Sequence, residues 1–215
     1  MAQRTDPDQP QAGMRLRERK RAVVRAALSD AALRLAIERG LEHVLVADIA
    51  AEAGVSPRTF NNYFSSKEEA VVAPAFDRTM HVIAAFEQRP AAEPLWQAVT
   101  RSIVAQFPTD DPPDTATTRQ ARLIAENPGL WSEQLKMYAT IESLLADAIA
   151  RRLGVERHED LLPGLVAAAA IGASRVAFDH WSAGATDSAL RSAMTQALDQ
   201  TGAGFPDATS GRPSP

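Results

Sequence analysis

The sequence of 215 residues contains no cysteine, and aromatic residues make up only 6% of it. Without cysteine there is no disulfide, no thiolate nucleophile and no thiolate ligand for zinc or an iron–sulfur cluster. The first residues lack the apolar stretch of a signal peptide, and the longest nearly uncharged apolar run, residues 161–174, is interrupted by Pro163 and Gly164. Such a run is too short to cross a bilayer. We therefore expect a cytoplasmic protein.

Alanine is abundant instead, at 41 of the 215 residues. Alanine has the highest helix propensity, whereas strands favour β-branched and aromatic residues. Apolar periodicity and end signals predict an all-α protein of nine helices with disordered tails at 1–13 and 202–215. The predicted helices cover residues 15–39, 47–53, 57–63, 66–88, 93–106, 115–126, 130–153, 161–183 and 187–201.

Charge is distributed unevenly around the net value of −4. Residues 1–67 carry a net charge of +3, and residues 68–215 carry −7. Within residues 14–25 there are six basic side chains and a single acid, Glu18. This asymmetry favours a small basic domain that contacts nucleic acid, joined to an acidic body, although a solvated helix start is the simpler alternative.

Residues 45–67 predict a helix-turn-helix. Two short helices flank Gly54, and neither is long enough to persist alone in water, so they must share a core with the first helix. The second helix buries Phe60 and, just past it, Phe64, and it displays arginine and asparagine, whose side chains match the edges of guanine and adenine. A slender helix of this kind fits the major groove of DNA.

The candidate DNA contacts come from this second helix and from the basic residues before it. Thr59 and Tyr63 offer hydroxyls to phosphates, and Lys67 places a cation at the start of the next helix, where amides are unpaired. The basic cluster near the N-terminus is expected to reach phosphates or the minor groove. The complete set is Pro57, Arg58, Thr59, Asn61, Asn62, Tyr63, Lys67, Arg15, Arg17, Lys20 and Arg21.

The stretch from residue 20 to 70 resembles the DNA-binding domain of the TetR family of transcriptional regulators. The matching pieces are Gly40-Leu41, Asp48-Ile49-Ala50, Ala53-Gly54-Val55-Ser56, Thr59-Phe60, Tyr63-Phe64 and Ser66-Lys67. The resemblance implies that Pro57, Arg58, Thr59, Asn61, Asn62, Tyr63 and Lys67 occupy the family's DNA-contacting positions. It also implies that a homodimer binds a near-palindromic operator as a repressor released by an effector. Two positions depart from the family: Leu45 stands where a threonine usually caps the helix, and Asn61 where an aromatic is common.

The organisation that follows is a helix-turn-helix domain at 14–67 and an effector-binding and dimerisation domain at 68–201. Helices 161–183 and 187–201 are expected to pair with their mates in a homodimer, since residues 164–177 are small and apolar; an internal helix is the alternative. A small apolar effector is expected between the helices of the body, with tight core packing as the alternative. The expected lining residues are Trp96, Phe107, Leu123, Trp131, Leu135, Tyr138, Ile141, Arg175 and Phe178.

The body resembles, more loosely, TetR effector domains that bind acyl-CoA-like ligands, through the stretch 122–130 and the long helix after it. We expect no enzyme, cofactor, metal site or catalytic residue, because the four histidines lack partners at zinc-binding spacing and nucleotide-binding glycine motifs are missing. The alternative from another class is an all-α enzyme or carrier that acts on a small apolar molecule without binding specific DNA.

Overall fold

The computed structural model describes residues 9–107, 115–183 and 189–204, without the side chains of residues 9–16, 18, 115–118 and 121. These residues form nine α-helices and a 3₁₀ turn at Leu41–His43, and the described ranges contain no strand. The all-α prediction is therefore confirmed. The helices are α1 (Gln9–Arg39), α2 (Val46–Glu52), α3 (Pro57–Asn61), α4 (Lys67–Glu87), α5 (Leu95–Val104), α6 (Thr115–Glu126), α7 (Pro128–Leu153), α8 (Leu162–Ser182) and α9 (Leu190–Gly202).

Predicted and observed helix bounds agree within three residues except at the start of α1. α1 begins at Gln9, six residues before its predicted start, so residues 9–13 are helical and not disordered as expected. The difference arises because the sequence argument relied on an apolar stripe that begins only at Val24, whereas Pro10 suits a helix's first turn. The predicted loop at 108–114 and most of both predicted tails lie outside the described residues.

The chain divides into two compact units after Pro74, seven residues beyond the predicted boundary. The first unit holds α1, α2, α3 and the first turns of α4. Its core contains the apolar stripe of α1, in which Leu28, Ala31 and Leu35 are buried, together with side chains from the short helices. The largest fully buried members from α2, α3 and their surroundings are Ile49, Phe60, Phe64, Val44 and Val71.

Pro74 lies inside α4 without ending it. A proline has no N–H, so the carbonyl of Ala70, four residues earlier, loses its helical partner. The hydroxyl of Ser29, a buried residue of α1, donates to that carbonyl at 2.6 Å. One side chain thus replaces the missing backbone hydrogen bond.

The second unit is built from the remainder of α4 and from α5 to α9. α8 packs against both α7 and α9, and the fully buried residues Ile149, Ala167, Ala170 and Leu198 form the centre of its core. The indole ring of Trp96 lies close to Gly202, where an added Cβ would be 2.2 Å from the indole nitrogen. This close approach requires glycine at the end of α9.

By length and composition alone, α8 could cross a membrane. As a helix it is longer than the nearly uncharged apolar run in the sequence, because it continues through Arg175 and Asp179. Its buried side contacts α7 and α9 through residues such as Ala167, Ala170 and Trp181. This packing accounts for the apolar character of one side of the helix.

Candidate nucleic-acid interface and effector cavity

The turn between α2 and α3 is closed by backbone hydrogen bonds. Gly54 adopts φ of +70°, a left-handed conformation that glycine reaches without strain. The amide of Val55 then donates to the carbonyl of Ala50 at 2.9 Å. Ser56 caps α3 by accepting the Thr59 N–H on its Oγ at 3.1 Å, and a proline follows at the first helical position. A left-handed glycine thus follows α2, and a serine cap opens α3.

α3 buries one side and exposes the other. Phe60 is fully buried and Phe64 is 2% exposed, with ring centroids 5.7 Å apart. The helix ends at Asn61, two residues earlier than predicted, so Tyr63 belongs to the turn that follows. The aromatic side is therefore core, and the opposite side presents polar groups to solvent. The exposed residues are Pro57, Arg58, Asn61 and Asn62.

Two of the predicted DNA contacts also make bonds within the protein. The Thr59 hydroxyl lies 2.9 Å from the Ser56 hydroxyl. The Lys67 ammonium donates to the carbonyls of Leu41 at 2.7 Å and Val44 at 2.9 Å, which closes the 3₁₀ turn onto the start of α4. Two of its three N–H groups are thereby used, so the structure places Lys67 as a positioning residue first. Its contact with a phosphate stays a prediction.

The basic stretch of α1 lies beside the end of α3. Arg17, Lys20 and Arg21 are exposed, while the side chain of Arg15 lies outside the described residues. The guanidinium carbon of Arg21 is 5.8 Å from the centre of the Tyr63 ring, a cation–π distance. This contact joins the α1 cations to the polar side of α3. We call this combined surface the basic face: Pro57, Arg58, Asn61, Asn62, Tyr63, Arg17, Lys20 and Arg21.

α2 begins without the threonine cap that is usual in the TetR family, which this stretch resembles. Leu45 occupies the N-cap position, is 64% exposed and has no side-chain oxygen. The carboxylate of Asp48 accepts the Leu45 N–H at 3.1 Å instead. One of the two bonds of a capping box therefore remains.

The second unit contains a cavity of about 420 Å³, within the range of small-molecule sites. Its wall is mostly apolar and includes residues from α4 to α9. Five of the nine side chains expected to line an effector site lie in this wall: Phe107, Tyr138, Ile141, Arg175 and Phe178. The structure brings these five together around one space.

The other four predicted lining residues lie elsewhere. Trp96 is half-buried and donates its indole N–H to the carbonyl of Leu198 at 3.2 Å, within the core. Leu123 is half-buried outside the cavity wall, and Trp131 and Leu135 are exposed. The structure therefore does not place these four side chains in the wall of this cavity.

The error on α7 has a geometric cause. The side of α7 that lines the cavity carries residues spaced three and four apart, namely Gln134, Met137, Tyr138, Ile141 and Leu145. The large apolar residues Trp131 and Leu135 lie about one position away along the helix, and their size shifted the predicted side. The signal that could have identified the correct side of α7 was Gln134, which is followed by apolar residues at i+3 and i+7, Met137 and Ile141.

Two buried polar atoms in the cavity wall have no hydrogen-bond partner among the described residues. They are Oε1 of Gln134, a residue 5% exposed, and the indole nitrogen of Trp181, a residue 3% exposed. Burial also raises the pKa of the nearby Tyr138 hydroxyl, which keeps that group neutral. Because unpaired buried polar atoms are costly, they mark positions where a ligand's polar groups would be stabilised.

Arginines from three helices reach the cavity wall: Arg78 on α4, Arg175 on α8 and Arg191 on α9. Of these three, only Arg175 was among the predicted lining residues. The Nη1 of Arg175 lies 3.3 Å from a carboxylate oxygen of Asp179. Burial raises the pKa of Asp179, although the nearby charge of Arg175 acts to lower it. Burial lowers the pKa of Arg78, which nonetheless stays protonated.

The histidines take no part in this wall. All four, His43, His81, His158 and His180, are exposed, and none belongs to the described lining residues. Asp179, the acidic neighbour of His180, pairs with Arg175.

Comparison with known proteins covers both units. Residues 28–73 match the family of bacterial regulatory proteins named tetR, and residues 93–206 match the MftR C-terminal domain. The chain is 34% identical over 195 residues to the HTH-type transcriptional regulator TcmR of Streptomyces glaucescens, covering 87% of this chain and 86% of that protein. It is 30% identical to the putative mycofactocin biosynthesis transcriptional regulator MftR of Mycobacterium tuberculosis, covering 87% and 93%.

Solved structures give the same fold. A TetR-family regulator from Rhodococcus sp. superposes with a TM-score of 0.53 at 17% identity, over 85% of this chain and 98% of that one. Together with the matches in sequence, this establishes the identity that the helix-turn-helix pointed to. The chain belongs to the TetR family of DNA-binding transcriptional regulators.

Proposed function

We propose that this protein is a homodimeric repressor that acts in the cytoplasm, binds a near-palindromic operator through its basic face and is released by a small apolar effector. The observation that supports it most directly is the two-sided α3, which buries Phe60 and exposes Arg58, Asn61 and Asn62. A five-residue helix with this arrangement enters a major groove without unfolding its own core.

Within the basic face we assign two kinds of contact. Arg58, Asn61 and Asn62 read base edges, because their side chains form paired hydrogen bonds with guanine or adenine. Tyr63 and the cations of α1 bind phosphates, which set position and affinity without reading sequence. Each phosphate neutralised by a cation should steepen the dependence of log K on log salt by about 0.9.

The homodimer is proposed to form through α8 and α9. The outward side of α8 has a stripe of exposed apolar residues that begins at its N-cap, with Leu161, Leu165 and Val176 exposed by 81%, 63% and 55%. Gly172 lies on the same stripe and allows a second helix to approach closely. The outward residues of α9, such as Gln196 and Asp199, are polar and would form the rim of the interface.

The dimer matters because two recognition helices must lie about 34–36 Å apart to enter successive major grooves. Sedimentation is expected to give a dimer at micromolar concentration, and Leu165→Glu to convert it to a monomer. Val23→Glu, at an exposed apolar residue of α1 in the other unit, is the matched control and should remain dimeric. A monomeric wild type would overturn the proposed assembly.

The effector is proposed to bind in the 420 Å³ cavity. α4 contributes Thr79 and Val82 to the cavity wall, and the same helix begins in the DNA-binding unit. A ligand that binds one arrangement of α4 more tightly than another shifts the population between DNA-binding and released forms. Couplings of this kind are typically about 1–3 kcal/mol. The proposal includes acyl-CoA-like ligands, which are bound by the effector domains that the second half of the sequence resembles.

Selection of binding sites from random duplex DNA tests the proposal. The full-length protein should enrich a sequence with two-fold symmetry and bind it about 10³-fold or more tightly than random duplex at the same salt concentration. Equal affinity for selected and random DNA would exclude sequence-specific regulation and favour the enzyme or carrier alternative. An enriched site without symmetry would exclude the homodimer on a near-palindrome.

A further inference from the structure

The charged side chains in the cavity wall are of one sign. Residues 68–215 carry a net charge of −7. Yet Arg78, Arg175 and Arg191 are the charged members of the described lining, which includes no aspartate or glutamate. Asp179 lies beside one of them, Arg175, so three guanidinium groups against this one neighbouring carboxylate leave an excess of positive charge at the wall of an otherwise acidic unit.

The three arginines differ in their partners. Arg175 has Asp179 at 3.3 Å, and Arg191 donates to the carbonyl of Phe107 at 2.7 Å. Arg78 has no hydrogen bond or ion pair with any described residue. Part of the Arg78 side chain is exposed to solvent, and the part that lies against the cavity wall is buried, which lowers its pKa. An unpaired cation in such a position is stabilised when an anion binds beside it.

The surroundings of Arg78 restrict what that anion is attached to. Val82 and Ile83, one turn further along α4, line the same cavity, as do Ile103 and Ile141 from other helices. A small, fully hydrated ion gains nothing from these walls, whereas an alkyl or ring system transfers its surface out of water.

We propose that the cavity binds an anionic amphiphile, an apolar body with one carboxylate or phosphate group, and that Arg78 binds this group. The inference rests on the proposed function, since it names the chemical class of the effector. Arg78 is the anion ligand because it is the arginine without a partner among the described residues. Because Arg78 belongs to α4, the ligand's charge would be bound by the helix whose first turns belong to the DNA-binding unit.

Calorimetric titration of the full-length protein tests the proposal with three probes of equal chain length: decanoate, decyl phosphate and decanol, each below its micellar concentration. At least one of the two anions should bind about 10-fold or more tightly than decanol, because hydrogen bonds to charged groups are worth about 1.5–3 kcal/mol and 1.4 kcal/mol is tenfold. The two anions distinguish a carboxylate from a phosphate headgroup.

Arg78→Gln should remove the preference for the anion and leave decanol binding unchanged, and Arg78→Lys should retain part of it. Arg122→Gln, at an exposed arginine of α6 outside the described lining, is the matched control and should retain the full preference. If the glutamine variant does not fold, as judged by circular dichroism, the lysine variant and the wild-type comparison decide.

Equal affinity for decanol and both anions would overturn the proposal, as would an anion preference that survives in folded Arg78→Gln, or no binding of any probe. These outcomes are separate from operator binding. If the wild type binds its operator but shows no preference for an anion, only the proposed ligand class is excluded. If the wild type prefers the anion through Arg78 but binds no operator, only the proposed repressor function is excluded.

Discussion

The two units of this chain present their functional side chains in opposite settings. On α3 the polar groups stand in solvent around a helix whose aromatic side is buried, and five residues suffice. In the second unit six helices enclose a cavity, and its polar groups are set into an apolar wall. The first site depends on what a short helix exposes, and the second on how long helices are rotated against one another. Variants should therefore affect the two sites independently.

The largest expected effect comes from removing the aromatic core beneath α3. Phe60→Ala should destabilise the first unit by about 3–5 kcal/mol, because a fully buried ring leaves a cavity. Chemical unfolding followed by circular dichroism should show an early transition, with loss of DNA binding. Phe178→Ala, at a half-buried ring that lines the ligand cavity, is the comparison and should cost less. Equal losses would mean that the two settings do not differ as described.

Arg58→Ala should weaken operator binding by about 1–3 kcal/mol and relax specificity at one base position. Binding of ligand in the second unit should not change. Fluorescence anisotropy with operator and scrambled duplexes measures the first effect, and calorimetry the second. Arg122→Ala removes an exposed arginine of the other unit and should leave both unchanged. Uniform weakening on every DNA sequence would reassign Arg58 from a base to a phosphate.

Ser29→Ala and Ser102→Ala compare buried hydroxyls in the two units. Ser29 is the replacement donor for the Ala70 carbonyl, so its loss should cost about 1–3 kcal/mol. Ser102 donates at 2.8 Å to Ala98, a carbonyl that also accepts a helical N–H, and its loss should cost less. Thermal unfolding measures both. Pro74→Ala restores the missing N–H and should rescue the Ser29 variant; failure to rescue would contradict the proposed replacement.

The smallest expected effect is a gain. Leu45→Thr supplies the N-cap oxygen that α2 lacks and should stabilise the first unit by about 1 kcal/mol. Leu45→Ala is the control, since it removes the same exposed apolar side chain without adding an oxygen. Denaturant unfolding compares the two. A threonine variant no more stable than the alanine variant would indicate that Asp48 alone satisfies this helix start.

The different settings also explain what could be predicted from the sequence. Gly54, Ser56 and Phe60 act through neighbours within a few residues, so spacing alone predicted the α2–α3 turn and its exposed side. Lys67 was harder to interpret, because its partners Leu41 and Val44 lie more than twenty residues away. Trp131 and Leu135 were misplaced since the rotation of α7 depends on contacts with several other helices. Arg78 was overlooked for the same reason, although Ala75, Thr79 and Val82 share its side of α4.

The hydroxyl that substitutes for the backbone at Pro74 links two positions 45 residues apart in the chain. A descendant that loses the proline no longer needs serine at position 29, whereas a descendant that loses the serine first carries an orphaned carbonyl until the proline is also replaced. The order of substitution is therefore constrained. Among related proteins, we expect exchanges at these two positions to covary, with proline at 74 retained mainly where residue 29 keeps a hydroxyl.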